Sequence, residues 1–115
     1  MTTMTDLHAG LPVRDLEGAR AWYERFFDRP ADFVAGRELL WEVAEHAWVF
    51  IDEQPGRAGS GFVTVSVTGL ADLLADLTAR GIAHEPVETY ANGVQHVTVV
   101  DPDGNRLSLA QLPAA

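Results

Sequence analysis

The order of predicted secondary structure repeats once along this sequence, and that repeat limits the fold more than any other feature. Leu7 to Val13 alternates between apolar and polar side chains, as expected of a strand with one buried face. Residues 14–30 then show the spacing of a helix, with Asp15 as its predicted N-cap and Pro30 just beyond its end. Three further strands are predicted at 31–34, 38–43 and 47–52.

A stretch rich in turn-forming residues, "DEQPGRAGSG" at 52–61, separates this half from a second half with the same order. The second half predicts a strand, a helix and three strands at 61–67, 69–81, 84–89, 94–101 and 106–112. Gly81 suits the end of the helix, because glycine readily adopts the left-handed conformation found there. The 115 residues are therefore expected to form a single domain of two modules, at about 6–53 and 60–112.

The residue types that are missing exclude several chemistries. Without cysteine the chain has no disulfide, zinc finger or thiol nucleophile, and without lysine it has no Schiff base or P-loop. A net charge of −9 argues against binding to nucleic acid or to anionic membranes and favours a cationic ligand. No run is apolar and long enough for a membrane span or a leader, so a cytoplasmic protein is expected.

Three stretches together resemble one known family: "HAGLPVRDLEGARAWYERFF" at 8–27, "GLADLLADLTARGI" at 69–82 and "VVDPDGNRLSL" at 99–109. In order and spacing they are similar to the first strand and helix, the second helix and the closing hairpin of the vicinal oxygen chelate superfamily. That superfamily contains glyoxalase I, bleomycin-resistance proteins, fosfomycin-resistance enzymes and extradiol dioxygenases. The resemblance implies an α+β fold in which two βαβββ modules form a concave mixed-sheet cup with helices outside. It also implies a homodimer, because small members often build each cup from both chains.

Metal-dependent members of the superfamily carry histidine, glutamate or glutamine ligands on the inner strands. The resemblance maps four such positions onto this chain, and they fall on His8, Phe50, Phe62 and Ser108. His8 alone suits a metal there, whereas catalytic zinc has about three protein ligands. No metal cofactor is therefore expected. The alternative is a divalent-metal site that His96, Asp52 or Glu53 completes if the register differs by one residue.

Aromatic residues stand at two of those positions, and strand alternation predicts the face on which they lie. Neighbouring valines and an isoleucine already supply a helix-covered face, which leaves the other face to Trp48, Phe50 and Phe62. Trp41 is predicted to belong to the core. Aromatic walls inside a cup would bind planar apolar ligands and attract cations.

The closing hairpin at 97–109 has two faces as well, joined by a turn containing Pro102 and Gly104. Leu107 and Leu109 should pack under a helix, while Arg106 and Ser108 point into the cup. The predicted ligand-binding residues are therefore His8, Trp48, Phe50, Phe62, Thr64, His96, Arg106 and Ser108. His8 and His96 are also candidate acid–base catalysts, because histidine titrates near neutral pH.

Three functions remain open from the sequence. The leading interpretation is a metal-independent protein that sequesters or carries an aromatic, amphipathic or cationic small molecule, as in antibiotic resistance. The alternative is a lyase, isomerase or dioxygenase that uses a divalent metal or a histidine acid–base group. The third is a structural or regulatory dimer without a ligand. Fold resemblance cannot choose among them, because one scaffold hosts many chemistries.

Overall fold

The computed structural model describes residues 1–113, and within them the two halves fold with the same element order. The first module contains β1 (Leu7–Val13), α1 (Leu16–Phe27), β2 (Phe33–Ala35), β3 (Glu38–Ala44) and β4 (Ala47–Glu53). The second module contains β5 (Phe62–Ser66), α2 (Leu70–Ala79), β6 (Glu88–Thr89), β7 (Gln95–Val100) and β8 (Arg106–Gln111). A short 3-10 helix at Pro55–Arg57 lies between them.

Each module forms one four-stranded mixed sheet, in the orders β1-β4-β3-β2 and β5-β8-β7-β6. The first strand of each module pairs in parallel with the last, and the other neighbours pair antiparallel. The parallel pair is possible because the chain leaves the first strand through a helix, which gives the long connection such pairing needs. The predicted α+β fold of two βαβββ modules is confirmed.

Helix α1 begins and ends as its sequence predicts. The Asp15 carboxylate accepts a hydrogen bond from the Gly18 backbone N–H at 2.8 Å, which satisfies a free donor of the first turn. Asp28 ends the helix in the left-handed conformation with a φ of 59°. The helical spacing of Leu16, Ala19, Tyr23, Phe26 and Phe27 predicts the apolar face of α1. Trp22 is outside that set, yet it is buried and stacks on Phe26 at 5.5 Å. Within residues 1–113, no helix has the length and apolarity needed to span a membrane.

The helix-covered sides of both sheets meet in one hydrophobic core. Trp41 is fully buried and stacks on Phe27 of α1 at 4.9 Å, which confirms the core position predicted for it. From the second module, Leu107 and Leu109 of β8 join the same core, together with Leu70, Leu74 and Leu77 of α2. Because the two modules share this core, the opposite face of each sheet stays open to solvent.

The strand predicted at 84–89 is shorter than expected. Only Glu88–Thr89 pairs with β7 as a strand, although the Glu85 backbone N–H still donates to the Thr98 carbonyl at 2.9 Å. Pro86 lies between these two contacts and has no N–H to donate, so it interrupts the ladder. The segment therefore follows the sheet edge without forming a continuous strand.

The turn between β7 and β8 holds a buried polar network that joins the modules. Asn105 is fully buried and donates from Nδ2 to the Pro12 carbonyl at 2.7 Å, while its Oδ1 accepts from the Gly61 N–H at 2.8 Å. The Asp101 carboxylate accepts a hydrogen bond from the Tyr23 hydroxyl at 2.6 Å. Burial and this carboxylate raise the pKa of Tyr23 far above its usual value. These bonds connect α1, β1 and the start of β5 through one turn.

Candidate functional site

The sheet faces that point away from the core form two candidate binding surfaces. On the first sheet, the register sets His8 beside Trp48 and Gly10 beside Phe50. Across the same sheet, Leu40 of β3 lies opposite Phe50 of β4 on one side and opposite Phe33 of β2 on the other. We call this surface the first open face, and it consists of His8, Gly10, Phe33, Glu38, Leu40, Trp48, Phe50 and Asp52.

Three aromatic rings cluster on the first open face. The His8 ring lies 6.0 Å from that of Trp48 and 6.5 Å from that of Phe50, in tilted and edge-on arrangements. A Cβ atom at Gly10 would collide with the Phe50 ring, so the glycine allows this ring to lie across β1. The half-buried Trp48 and Phe50 therefore form an aromatic floor beside an exposed imidazole.

Carboxylates surround that aromatic floor. Trp48 donates its indole N–H to Asp6 at 2.9 Å, and this hydrogen bond lowers the pKa of the Asp6 carboxyl below its usual value. Glu38 borders two hollows of about 330 and 460 Å³, and it lies directly opposite Asp52 in register. Glu38 forms no ion pair within residues 1–113. The first open face thus combines aromatic area with several carboxylates, of which Glu38 and Asp52 form no ion pair among the described residues, although Arg57 also borders the larger hollow.

The second sheet carries the other predicted residues on its own open face. The register sets Phe62 beside Arg106, Thr64 beside Ser108, and Ser108 beside Thr98. We call this surface the second open face, made of Phe62, Thr64, Ser66, His96, Thr98, Arg106, Ser108 and Ala110. Phe62 is 64% exposed, so it does not belong to the core of this chain.

Ser108 is fully buried although its strand parity places it on the second open face. Its hydroxyl lies 3.4 Å from that of Thr98, which is also buried. An ion pair of 3.1 Å between Arg106 on β8 and Glu85 at the sheet edge spans the β7 strand between them. A ligand on this face would therefore meet Phe62, Arg106 and Thr64 before it reached Ser108.

His96 is half-buried and stacks on Tyr90 with ring centroids 5.8 Å apart. Glu88 lies opposite it in register on β6, but no hydrogen bond joins the two side chains. No carboxylate therefore orients the imidazole as an acid–base group in this part of the chain.

The structure divides the predicted ligand-binding residues into two groups. His8, Trp48 and Phe50 lie on the first open face, and Phe62, Thr64, His96, Arg106 and Ser108 lie on the second. The two sheets share no hydrogen-bonded strand pair within residues 1–113. His8 and His96, the two candidate catalysts, thus belong to different sheets.

The residues at the four metal positions do not fit a divalent ion. His8 supplies one imidazole, but its neighbours across the strands are Trp48 and Phe50, neither of which offers a ligand atom. Between residues 1 and 113, no group of three His, Cys, Asp or Glu side chains is arranged to hold a metal. The donor set is therefore too small for the usual three protein ligands of a catalytic zinc.

Four residues of the candidate surfaces were missed by the sequence analysis. Phe33, Glu38 and Leu40 lie on the first open face, and Tyr90 stacks on His96 of the second. Alternation along 38–43, anchored on the buried Trp41, would have placed Leu40 and Glu38 opposite the core. Phe33 and Tyr90 had no comparable signal, because each lies at the end of a short edge strand.

Comparison with known proteins identifies the family. The model of the Glyoxalase/Bleomycin resistance protein/Dioxygenase superfamily matches residues 7–109. The chain belongs to this superfamily. A crystal structure of a glyoxalase/bleomycin resistance protein from Catenulispora acidiphila DSM 44928 is 34% identical, with 96% of this chain and 100% of that chain covered and a TM-score of 0.88. Comparison with curated proteins finds no match.

Two more distant superfamily structures share the fold. A bleomycin resistance determinant encoded on transposon Tn5 is 20% identical, with 96% of this chain and 100% of that chain covered and a TM-score of 0.80. A bleomycin-binding protein in complex with bleomycin is 21% identical, with the same coverage and a TM-score of 0.76. At these identities the likeness concerns the fold.

Proposed function

We propose that this protein binds a planar, cationic aromatic or amphipathic small molecule against its two open faces. The observation that carries the proposal is the aromatic floor of Trp48 and Phe50, bordered by two carboxylates that form no ion pair within residues 1–113. Aromatic faces attract cations, and nearby carboxylates strengthen that attraction. A relative with the same fold binds bleomycin, which supports a ligand of this class.

We further propose that two chains associate and that the open faces of both contribute to each ligand site. Phe33 and Phe62 are 58% and 64% exposed on the two open faces. Apolar side chains concentrated on uncovered sheet faces are typical of surfaces that bind a partner. A second copy would also bring the two groups of ligand-binding residues together, since a single chain keeps them on separate sheets.

Binding in this proposal needs no metal and no catalytic step, and takes place in the cytoplasm. The role that fits is sequestration of a toxic cationic compound such as an antibiotic, because sequestration needs tight binding and no reactive group. The enzyme alternative has less support. Among its four metal positions only His8 supplies a good ligand, and no described carboxylate orients either candidate histidine.

The direct test is a fluorescence titration with bleomycin, with the planar cation acridine orange and with the anion 8-anilinonaphthalene-1-sulfonate. We expect the two cations to quench tryptophan emission at micromolar concentration and the anion to bind much more weakly. Glu38→Gln should weaken binding of both cations about two- to fivefold, the scale of one partly exposed charge pair. Asp72→Asn, at an exposed position on α2 and outside both open faces, is the matched control. Equal affinity for the anion would refute the proposal.

Metal independence has its own measurement. Protein purified without chelator should carry far less than one equivalent of zinc, nickel, manganese or iron by elemental analysis, and chelator should not change the bleomycin titration. Stoichiometric metal that is lost in the His8→Ala variant would instead favour the enzyme alternative.

A further inference from the structure

Asp6 lies just before β1 and lines the hollow of about 330 Å³ on the first open face, together with Trp48. Both oxygens of its carboxylate are engaged. Oδ2 accepts a hydrogen bond from the Trp48 indole N–H at 2.9 Å, and Oδ1 lies 3.4 Å from Nδ1 of His46. The Asp6 carboxylate therefore has partners inside the protein, whereas Glu38 on the same hollow has no ion pair within residues 1–113.

The backbone holds Asp6 at this place. The N–H of Leu7, the next residue, donates to the His46 carbonyl at 2.9 Å, which attaches the start of β1 to the β3–β4 turn. His46 takes the left-handed conformation in that turn, with a φ of 62°. Trp48 follows on β4, the parallel neighbour of β1. Strand pairing thus brings Asp6 and Trp48 together although they are 42 residues apart in the sequence.

Trp48 needs such a partner because it stands on an uncovered sheet face. It is only half-buried, and its ring contacts that of His8 at a centroid distance of 6.0 Å in a tilted arrangement. A side chain with open space beside it can change rotamer, and a hydrogen bond to its one polar atom selects among the rotamers. Binding to a side chain that is already fixed costs less conformational entropy than binding to a mobile one. The Asp6 carboxylate can therefore fix the indole as a wall of the hollow before a ligand arrives.

We propose that Asp6 is a positioning residue, whose carboxylate holds the Trp48 indole in the orientation that binds a planar ligand. This inference rests on the proposed function, because it assigns a role within the same site. The site needs a hydrogen-bond acceptor from Asp6, whereas it needs a negative charge from Glu38. Asparagine at position 6 keeps an acceptor oxygen and removes the charge, so the two contributions can be separated.

The first measurement needs no ligand. In ¹H–¹⁵N NMR spectra of the whole chain, the indole N–H of Trp48 is assigned with Trp48→Phe. Its heteronuclear NOE should be as high as that of Trp41, a core residue whose indole donates to the Arg29 carbonyl at 3.0 Å. Asp6→Ala should lower the NOE of Trp48 and shift its resonance upfield, while Asp6→Asn should keep the wild-type values. The Trp41 signal should stay unchanged in both variants, which shows that the core is folded. An unchanged Trp48 signal in Asp6→Ala would overturn the inference.

The second measurement is a titration with acridine, which is uncharged at mildly alkaline pH, and with the planar cation acridine orange. Asp6→Ala should weaken acridine about two- to tenfold, the cost of immobilising one side chain, and Asp6→Asn should not. For acridine orange both variants lose the same charge, so Asp6→Ala should still bind more weakly than Asp6→Asn. Glu38→Gln is the matched control for charge, and it should weaken acridine orange while leaving acridine unchanged.

The titrations also distinguish a failure of this inference from a failure of the proposed function. If the wild-type chain binds acridine orange but Asp6→Ala and Asp6→Asn have equal affinities for both ligands, the role of Asp6 is overturned and the proposed function stands. If neither ligand binds the wild-type chain, the proposed function is overturned and the role of Asp6 with it.

Discussion

At the scale of single residues, the exposure of Phe62 separates a binding role from a structural one. Its side chain is 64% exposed in the chain, whereas Phe26 of α1 is only 9% exposed. Substitution of Phe62 should therefore affect what the second open face binds far more than how stably the chain folds.

We predict that Phe62→Ala weakens binding of a planar cation by about 1–3 kcal/mol, the scale of a lost aromatic contact. Its free energy of unfolding should change by less than about 0.5 kcal/mol, as at most surface positions. The matched substitution Phe26→Ala should cost about 3–5 kcal/mol of stability. One denaturant series and one titration for each variant measure both quantities. A large loss of stability with unchanged affinity would mean that Phe62 is a core residue.

At the scale of elements, the β7–β8 turn holds the two modules together through buried hydrogen bonds. Asn105→Ala would leave the Pro12 carbonyl and the Gly61 N–H without their partner. Because unsatisfied buried polar groups cost about 1–3 kcal/mol each, we predict a loss of about 2–5 kcal/mol in the free energy of unfolding. Urea unfolding measures it. Asn92→Ala, at an exposed turn, is the control, and an equal effect there would contradict the role given to Asn105.

The same network predicts a dependence on alkaline pH. Burial beside Asp101 raises the pKa of Tyr23, so the folded chain keeps the phenol proton at pH values where the unfolded chain loses it. Stability from this group is fully present below about pH 10 and falls above it, by up to about 1.4 kcal/mol per pH unit. Tyr23→Phe should be less stable at pH 7 but lose less stability between pH 9 and 11. Parallel pH profiles in both proteins would disprove this role of Tyr23.

At the scale of the whole molecule, the two open faces and the net charge of −9 are the features on which the proposed association and ligand binding depend. The apolar side chains on both faces predict a dimer, twice the 12.5 kDa of one chain, in sedimentation at micromolar concentration. A monomer at every concentration would leave the two groups of ligand-binding residues on separate sites.

The acidic surface also predicts a dependence on salt. Exposed charges are screened beyond about 10 Å at 0.1 M salt and about 3 Å at 1 M. Binding of acridine orange should therefore weaken as sodium chloride rises from 0.05 to 0.5 M, while a neutral planar ligand should show no such loss. A flat response for the cation would limit the net charge to a role in solubility.

Much of the fold follows from local patterns in the sequence. The alternation in β4 and β5 assigned Phe50 and Phe62 to the face opposite the core, and the spacing in α1 predicted its buried side. Strand alternation and helix periodicity depend only on residues close together in the sequence. The buried face of an element can therefore be predicted without knowing its distant contacts. The ligand identity has no such local signature.

Only the tertiary structure decided which distant residues meet. The turn at 101–105 looked like an ordinary hairpin turn, yet packing against α1 and β1 buries Asp101 and Asn105 as the polar link between the modules. Likewise, the two sheets share a core and therefore hold the predicted ligand-binding residues on separate open faces. These outcomes depend on how two modules dock, and that depends on side chains far apart in the chain rather than on any local period.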